Sequence, residues 1–216
     1  MGLSASDERL KFPSGPELTP AKMAATMQRA TEAWKYDVIS MGYPGSVMQG
    51  KPAEEPRNLA SGWVGFDYDQ AFGKPVRIVN DAAMQALGGY RGGRMLFLGL
   101  GTGLGSALVV EGLLQPLELA HLPYRNDRTF EDYVGLRGFK RMGKKRWRRH
   151  VEVVIAQLKH ALQADYVTLG GGQTKHLDAL PPGVRLGSNA DAIIGGFRLW
   201  SQPEWVRDTH FREETA

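Results

Sequence analysis

The pair Asn80-Asp81 ends the apolar run "PVRIVND" and stands directly before "AAMQALGGY". A carboxylate so placed lies at the carboxyl end of a strand, the edge where open α/β sheets bind ligands. There it could take a proton from a bound hydroxyl. Its plainer use is to cap the helix that follows, a common task for Asp and Asn; one of the pair can cap while the other works. Further on, "LFLGLGTGLGSALVVEG" sets Gly99, Gly101, Gly103 and Gly105 at alternate positions between two apolar runs. Glycine at this density lets a backbone approach something closely, often a phosphate. With no GK[ST] ending, the stretch is not a Walker loop. A dinucleotide fingerprint needs its glycines to open a helix, whereas "SALVVEG" is β-branched, apolar and stopped by Gly112. The glycines therefore bend a strand–turn–strand unit. Its N–H groups with Thr102 could cradle an anion, or the turn is an ordinary glycine-rich hairpin.

Three other groups carry chemical side chains. "LELAH" places Glu118 and His121 three residues apart, with Glu131 following in "FEDYVG". By itself the Glu118/His121 spacing reads as a salt-linked surface pair. "VTLGGGQTK", Val167 to Lys175, is a second strand-to-glycine junction, with room for a base or ribose beside Gly170, Gly171 and Gly172. "KRMGKKRWRRH", Lys140 to His150, holds most of the excess positive charge. Such a run is usually the solvated start of a helix. The sharper reading is that Lys144, Lys145, Arg146, Arg148 and Arg149 hold a long polyanion, either polyphosphate or nucleic acid. Nucleic acid is the weaker of the two, since no helix-turn-helix segment accompanies the run.

The elements that must position these residues alternate along the chain. At 216 residues and 42% hydrophobic, the chain can bury a real core. No apolar run is long enough to cross a membrane, and "MGLSASDERLKF" has no signal-peptide core, which predicts a cytoplasmic protein. The absence of cysteine excludes disulfides, thiolate metal sites and cysteine nucleophiles. Net charge is a mild +4. "ERLKFPS" alternates like a short edge strand. "TPAKMAATMQRATEAWK" predicts an amphipathic helix capped by Thr19, with Pro20 at its first position and Met23, Met27, Ala30 and Trp34 on one face. "DVISMGYPG" and "PVRIVND" read as strands, "KPAEEPRNLASGW" as loop and "AAMQALGGY" as a helix. "RMLFLGLGTGLGSALVVEG" predicts a hairpin, "HVEVVIAQLKHALQ" a long helix, "DYVTLGGG" a strand and "NADAIIGGFRLW" a last helix. Strands alternating with helices, plus one hairpin, define an α/β architecture. "SQPEWVRDTHFREETA" reads as a polar, frayed tail.

In this order "GYPGSV", "NLASGW", "VNDAAMQALG", "LGLGTGLGSALVVEG", "ELAH", "FEDYVG", "TLGGGQTK" and "NADAIIGG" resemble the ROK family of sugar kinases, in its polyphosphate/ATP glucokinase branch. The resemblance covers nearly the whole chain. It implies the actin-like ATPase (ribonuclease H-like) fold, two α/β lobes around a cleft, with residues 1–80 in the first lobe, 81–200 in the second and 201–216 as tail. It also implies that Asp81 is the general base for the sugar's 6-hydroxyl, and that Asn80, Glu118, His121, Glu131, Gly45 and Asn58 contact the hexose. Gly101, Thr102 and Gly103 would cradle donor phosphates, and Gly170 to Gly172 would border the adenosine. The implied partners are glucose and Mg²⁺ with ATP or polyphosphate, and a homodimer is compatible with it.

Two departures from that family pattern stand out. The zinc-binding cysteines of many members are absent, which makes His121 a sugar contact and predicts no zinc. The family's opening strand with its Asp-x-Gly-Gly-Thr phosphate loop is also missing. The deficit is on the order of fifteen to twenty residues, about one and a half strands. Without that strand, ladder groups and apolar faces should be left bare. Either an upstream start supplies it, or the chain is a non-catalytic sugar-binding remnant.

Overall fold

Thr19 and Pro20 start the first helix where the sequence predicts it. Helix α1 spans Pro20–Ala30, and the Thr19 hydroxyl accepts the Lys22 N–H at 3.2 Å. It stops sooner than the apolar spacing implies. The Thr31 hydroxyl donates to the Met27 carbonyl at 2.8 Å, the chain turns, and Trp34 falls outside the helix. The computed structural model describes residues 10–188 and 190–201. Of the edge strand expected in "ERLKFPS", the described part, 10–14, forms none, and Glu8 and Arg9 lie outside the described residues. Apart from Ser201, so does the predicted tail.

From α1 the chain runs through β1 (Ile39–Tyr43), the short antiparallel pair β2 (Val47–Met48) and β3 (Lys51–Pro52), and α2 (Tyr68–Phe72). Then come β4 (Val76–Asn80), α3 (Asp81–Gly89), the hairpin β5 (Arg94–Leu100) and β6 (Leu104–Val110), and β7 (Leu113–Leu117). A small hairpin, β8 (Pro123–Arg125) with β9 (Arg128–Thr129), leads into α4 (Phe130–Val134) and the long α5 (Leu136–Ala161). Strand β10 (Tyr166–Gly170), a 3₁₀ turn at Gly172–His176, β11 (Val184–Leu186) and α6 (Asp191–Ser201) complete the described chain. The main sheet has five strands in the order β11-β10-β5-β6-β7; β10 is parallel to β5 and β11, and β6 is antiparallel to both neighbours. A second sheet pairs β1 with β4 in parallel.

Helix α5 covers one face of the five-stranded sheet with Trp147, Val151, Val154, Ile155 and Leu158. Trp147 is fully buried, and its indole N–H donates to the Val134 carbonyl at 2.8 Å. Helix α3 covers the other face with Ala83, Ala86 and Leu87 against Met95, Phe97 and Val109. Among the described residues the far edge of β1 has no partner strand. An apolar groove of about 590 Å³ runs along that edge between α1 and α6, lined by Met27, Ile39, Met84, Phe197 and Trp200, and Asp81 opens into it.

Helix α6 returns to lie across both α3 and β1, and glycines set its distance. A Cβ on Gly88 would overlap the Asp191 carbonyl, and one on Gly195 would overlap the Met84 carbonyl. At Gly196 a Cβ would stand 3.3 Å from that of Ser40, whose hydroxyl donates to the Gly196 carbonyl at 2.5 Å. The carbonyls at the end of α3 are gathered by arginines. Arg198 donates to Leu87, Gly88 and Tyr90, Arg91 to Gly88 and Tyr90, and Arg185 to Gly89. Cations at a helix C-terminus complement its dipole. Because the Gly195 contact is backbone to backbone, Gly195→Ala has no flexible neighbour to displace. It should lower unfolding free energy by about 3 kcal/mol or more, the upper range for overpacking, measured as a shift in urea midpoint at constant slope.

Candidate functional site

Asn80 and Asp81 divide the two tasks that the sequence leaves open between them. Asn80 is the cap: its side-chain oxygen accepts from Ala82 N–H at 2.9 Å and Ala83 N–H at 3.4 Å. Its amide nitrogen donates to the Gly45 carbonyl at 2.9 Å, which ties the loop after β1 to the start of α3. Asp81 is left as the first residue of α3, exposed at the mouth of the apolar groove, with no ion pair among the described residues. Desolvation by the surrounding protein raises its carboxyl above the ordinary aspartate value, against the lowering effect of the Ala82 N–H and its own N–H. A raised carboxyl pKa at a strand–helix junction suits a proton acceptor.

The loop carrying Gly45 is braced by a residue that sequence reading missed. Glu54 accepts from the Ser46 hydroxyl at 2.8 Å and the Ser46 N–H at 3.2 Å. These bonds hold its carboxyl below the usual range, with Arg57 and His121 adding to the effect. Tyr43, fully buried, donates to the Glu54 carbonyl at 2.7 Å, and burial together with Glu55 and Glu54 pushes its phenol up to about 12. The only sequence signal for Glu54 was its charge within a Pro-rich loop. Glu118 and His121 are both exposed, and neither hydrogen bond nor ion pair joins them, so they are not a salt-linked pair. Asn58 is exposed on the turn next to Arg57 and is brought to the site by no contact of its own.

The glycine turn joins the same neighbourhood from the sheet side. A Cβ on Gly105 would stand 2.8 Å from the Ala82 Cβ, one residue from Asp81, and one on Gly103 would overlap the Glu131 carboxylate. Glu131 is set by its own N–H, which donates to the Ala120 carbonyl at 3.0 Å, beside His121. Gly101 N–H donates to the Gly103 carbonyl at 3.1 Å, and neither residue enters the left-handed region. A close neighbour, the Ala82 Cβ, rather than a special dihedral, thus requires glycine at Gly105; at Gly103 the neighbour is the movable end of Glu131, and the space over Gly101 is open. The N–H of Leu136, at the start of α5, donates to the Gly101 and Thr102 carbonyls. Gly170 pairs with Gly99 in the parallel ladder, and Gly171, at φ 85°, crosses directly over the Leu100 carbonyl. Both glycine junctions therefore meet at the carboxyl edge of β5 and β10.

Among the described residues no three His, Asp or Glu side chains cluster as a metal site. Magnesium in phosphoryl transfer is held largely by phosphate oxygens, with one or two carboxylates, so here it would have to enter with a donor.

The mixed α/β arrangement is the actin-like ATPase fold of the ROK kinases. The chain superposes on a ROK family protein from Streptococcus pneumoniae in complex with sucrose, with TM-score 0.72 and 15% identity over 90% of this chain and 89% of that one. It also superposes on a polyphosphate/ATP-glucomannokinase from Arthrobacter, with TM-score 0.71 and 23% identity over 88% and 86% of the two chains. In sequence it is similar to the polyphosphate glucokinases of Mycobacterium leprae and Mycobacterium tuberculosis, at 25% identity over 190 residues, 81% of this chain. The match spans 58% of the M. leprae protein's length and 71% of the M. tuberculosis one. No protein-family model matches the chain. The chain is thus a homologue of polyphosphate glucokinases with a ROK kinase fold.

The raised pKa of Asp81 has a consequence for stability. The native state holds the proton to higher pH than the unfolded chain, so stability falls as pH rises from the ordinary value of 3.8 through the native pKa. Asp81→Asn should therefore denature at a higher temperature than the parent at pH 7. The gap should close as pH drops below about 3.8. Thermal melts across pH would show this, and an equal or lower midpoint at pH 7 would argue against a desolvated carboxyl.

Proposed function

We propose that the chain is the sugar- and phosphate-binding part of a ROK-type hexose kinase, which transfers a phosphoryl group from ATP or polyphosphate to the 6-hydroxyl of glucose. The observation that carries this is the place of the Asp81 carboxylate: without an ion pair among the described residues, at the mouth of the apolar groove, and at the head of α3 beside the glycine turn. Asp81 accepts the proton of the attacking hydroxyl as the new O–P bond forms and the bond from phosphorus to the leaving phosphate oxygen breaks. The open backbone at Gly101 and Thr102 receives donor phosphates, and Gly170 to Gly172 flank an adenosine when ATP is the donor. Asn80 holds the Gly45 loop, while Glu118, His121 and Glu131, with Asn58 at the loop's edge, orient the sugar. A magnesium ion held by the donor's own phosphate oxygens would supply charge neutralisation there. Of the described residues, those up to 80 belong to the first lobe and those from 81 to the second, in a soluble, cytoplasmic protein. In support of solubility, no described helix is long and apolar enough to cross a membrane.

A second reading rests on one sequence fact: the 216 residues contain no Asp-x-Gly-Gly-Thr loop. On that reading the chain binds a sugar without turning it over.

Glucose binding tests the shared part of both readings. Glu118→Ala and His121→Ala should each weaken glucose by about 1–3 kcal/mol, because each leaves a sugar hydroxyl unpaired. Asp81→Asn should change affinity little. Calorimetry showing unchanged affinity in both of the first two variants would return Glu118 and His121 to plain surface residues.

Turnover separates the readings. Loss of a single transition-state donor costs about a hundredfold to a thousandfold, and a whole phosphate loop supplies several. Residues 1–216 alone should therefore show negligible glucose phosphorylation with magnesium and either donor in a coupled assay. Robust turnover would mean that residues present here replace the loop.

A further inference from the structure

The peptide group between Gly45 and Ser46 is held at both ends by side chains from different parts of the chain. Its carbonyl, on Gly45, accepts from the Asn80 amide nitrogen at 2.9 Å. Its N–H, on Ser46, donates to Glu54 Oε1 at 3.2 Å, and the Ser46 hydroxyl donates to the same oxygen at 2.8 Å. A peptide group is planar, so fixing its oxygen and its hydrogen fixes the rotation of the whole plane. Asn80 is also the cap of α3, whose first residue is Asp81. The Gly45–Ser46 plane is therefore a strut between Glu54 and the head of the helix that carries Asp81.

The β2–β3 hairpin closes without this carboxylate. It turns at Gln49 and Gly50, at φ 51° and 72°, positive values that suit a two-residue hairpin loop. Its base is closed by the Ala53 N–H, which donates to the Ser46 carbonyl at 2.9 Å. The Glu54 side chain is exposed, but its backbone is fixed from both sides. The buried Tyr43 hydroxyl donates to the Glu54 carbonyl at 2.7 Å, and the adjacent Glu55 accepts from the Trp63 and Val64 N–H groups at 3.1 and 3.2 Å. The bonds from Ser46 hold the Glu54 carboxyl below the usual range, so it is charged at neutral pH. Hydrogen bonds to an ionised acceptor are roughly twice as strong as neutral ones.

Gly45 is packed to the same end. A Cβ there would stand 3.0 Å from Tyr43 Cε1, so the residue lies against the Tyr43 ring, and its own N–H has no acceptor among the described residues. With β1 before it and the braced peptide after it, that N–H keeps one direction. A loop ordered in advance spares a ligand the cost of ordering it.

Resting on the kinase reading for the place of the hexose at Gly45, we propose that Glu54 is a positioning residue for sugar binding: through the Gly45–Ser46 peptide its carboxylate holds the loop in the orientation that receives a sugar hydroxyl, and it touches no sugar atom itself. The test is glucose calorimetry, with thermal melts, on the 216-residue protein and on Glu54→Ala, Glu54→Gln, Asn80→Ser and the double variant Glu54→Ala/Asn80→Ser. Glu54→Ala should weaken glucose about three- to tenfold, the range of one net hydrogen bond. Its melting midpoint should stay near the parent's, because the side chain is exposed. Glu54→Gln keeps an acceptor oxygen for Ser46 and should restore most of the affinity. Serine at position 80 keeps a cap for α3 but lacks the amide donor to Gly45, so Asn80→Ser releases the other end of the plane. Releasing either end frees it, so the double variant should lose clearly less than the product of the two single losses. Unchanged affinity in Glu54→Ala, with the parent binding glucose, overturns the proposal and leaves the kinase reading standing. So does a loss that Glu54→Gln does not restore, or one that multiplies fully with that of Asn80→Ser. A parent that binds no glucose removes the kinase reading and the positioning role with it.

Discussion

The backbone contact between α3 and α6 is the constraint on which the site depends. Gly88 and Gly195 let the two helices approach until carbonyl and Cα surfaces touch, and Gly196 lets α6 press on Ser40 of β1 at the same time. Three elements from distant parts of the chain, β1, α3 and α6, are thereby locked at one spacing. Interiors at native packing density have no slack to absorb an added methyl at such a crossing. Asp81 is the first residue of the clamped helix, so its position relative to the glycine turn is inherited from that packing. The Trp200 indole N–H to the Ser40 hydroxyl, at 2.9 Å, and Arg77 stacked over Trp200 at 4.2 Å add polar and cation–π ties along the same seam.

Helix α3 is also electrically organised. Arg91, Arg185 and Arg198 hold the carbonyls at its C-terminal end, and a carboxylate sits at its N-terminal end. The dipole at a helix start, worth about 0.3–1 kcal/mol, favours the ionised form of Asp81. Desolvation wins in the balance, since the carboxyl is raised. The groove is therefore the larger influence on Asp81, and whatever lines it tunes that carboxyl. Asn80 contributes by accepting from the Ala82 and Ala83 N–H groups, so the cap of α3 does not rest on Asp81.

Charge along α5 follows a different logic. Along α5, Arg137 is paired with Glu131 and Asp132, and Lys144 and Arg148 with Asp178, while Arg146 and Arg149 converge with Arg125 of β8 on a concave surface. An unpaired surface cation is ordinary. Three of them around one hollow, with no acid among its lining residues, concentrate potential where a polyanion can collect it.

Much of this protein was legible in the sequence wherever the signal was local. Thr19-Pro20 marked the start of α1, β-branched runs around alternating glycines marked the β5–β6 hairpin, and Asn80-Asp81 marked a strand–helix junction. The order of motifs identified the ROK fold, because each motif is a short contiguous stretch. Where two local readings competed, tertiary structure decided. Apolar spacing carried the first helix on to Trp34, but the Thr31 hydroxyl turned back on Met27 and ended it. Which of Asn80 and Asp81 caps depended on the Gly45 carbonyl, thirty-five residues away in sequence. The part played by Glu54 depended on a loop folding back on Ser46, and the division of the basic run depended on a bend at Gly143 and on Asp178, in the segment after β10. Sequence patterns record periodicity and local propensity; the pairing of side chains far apart in the chain is decided only when the elements pack.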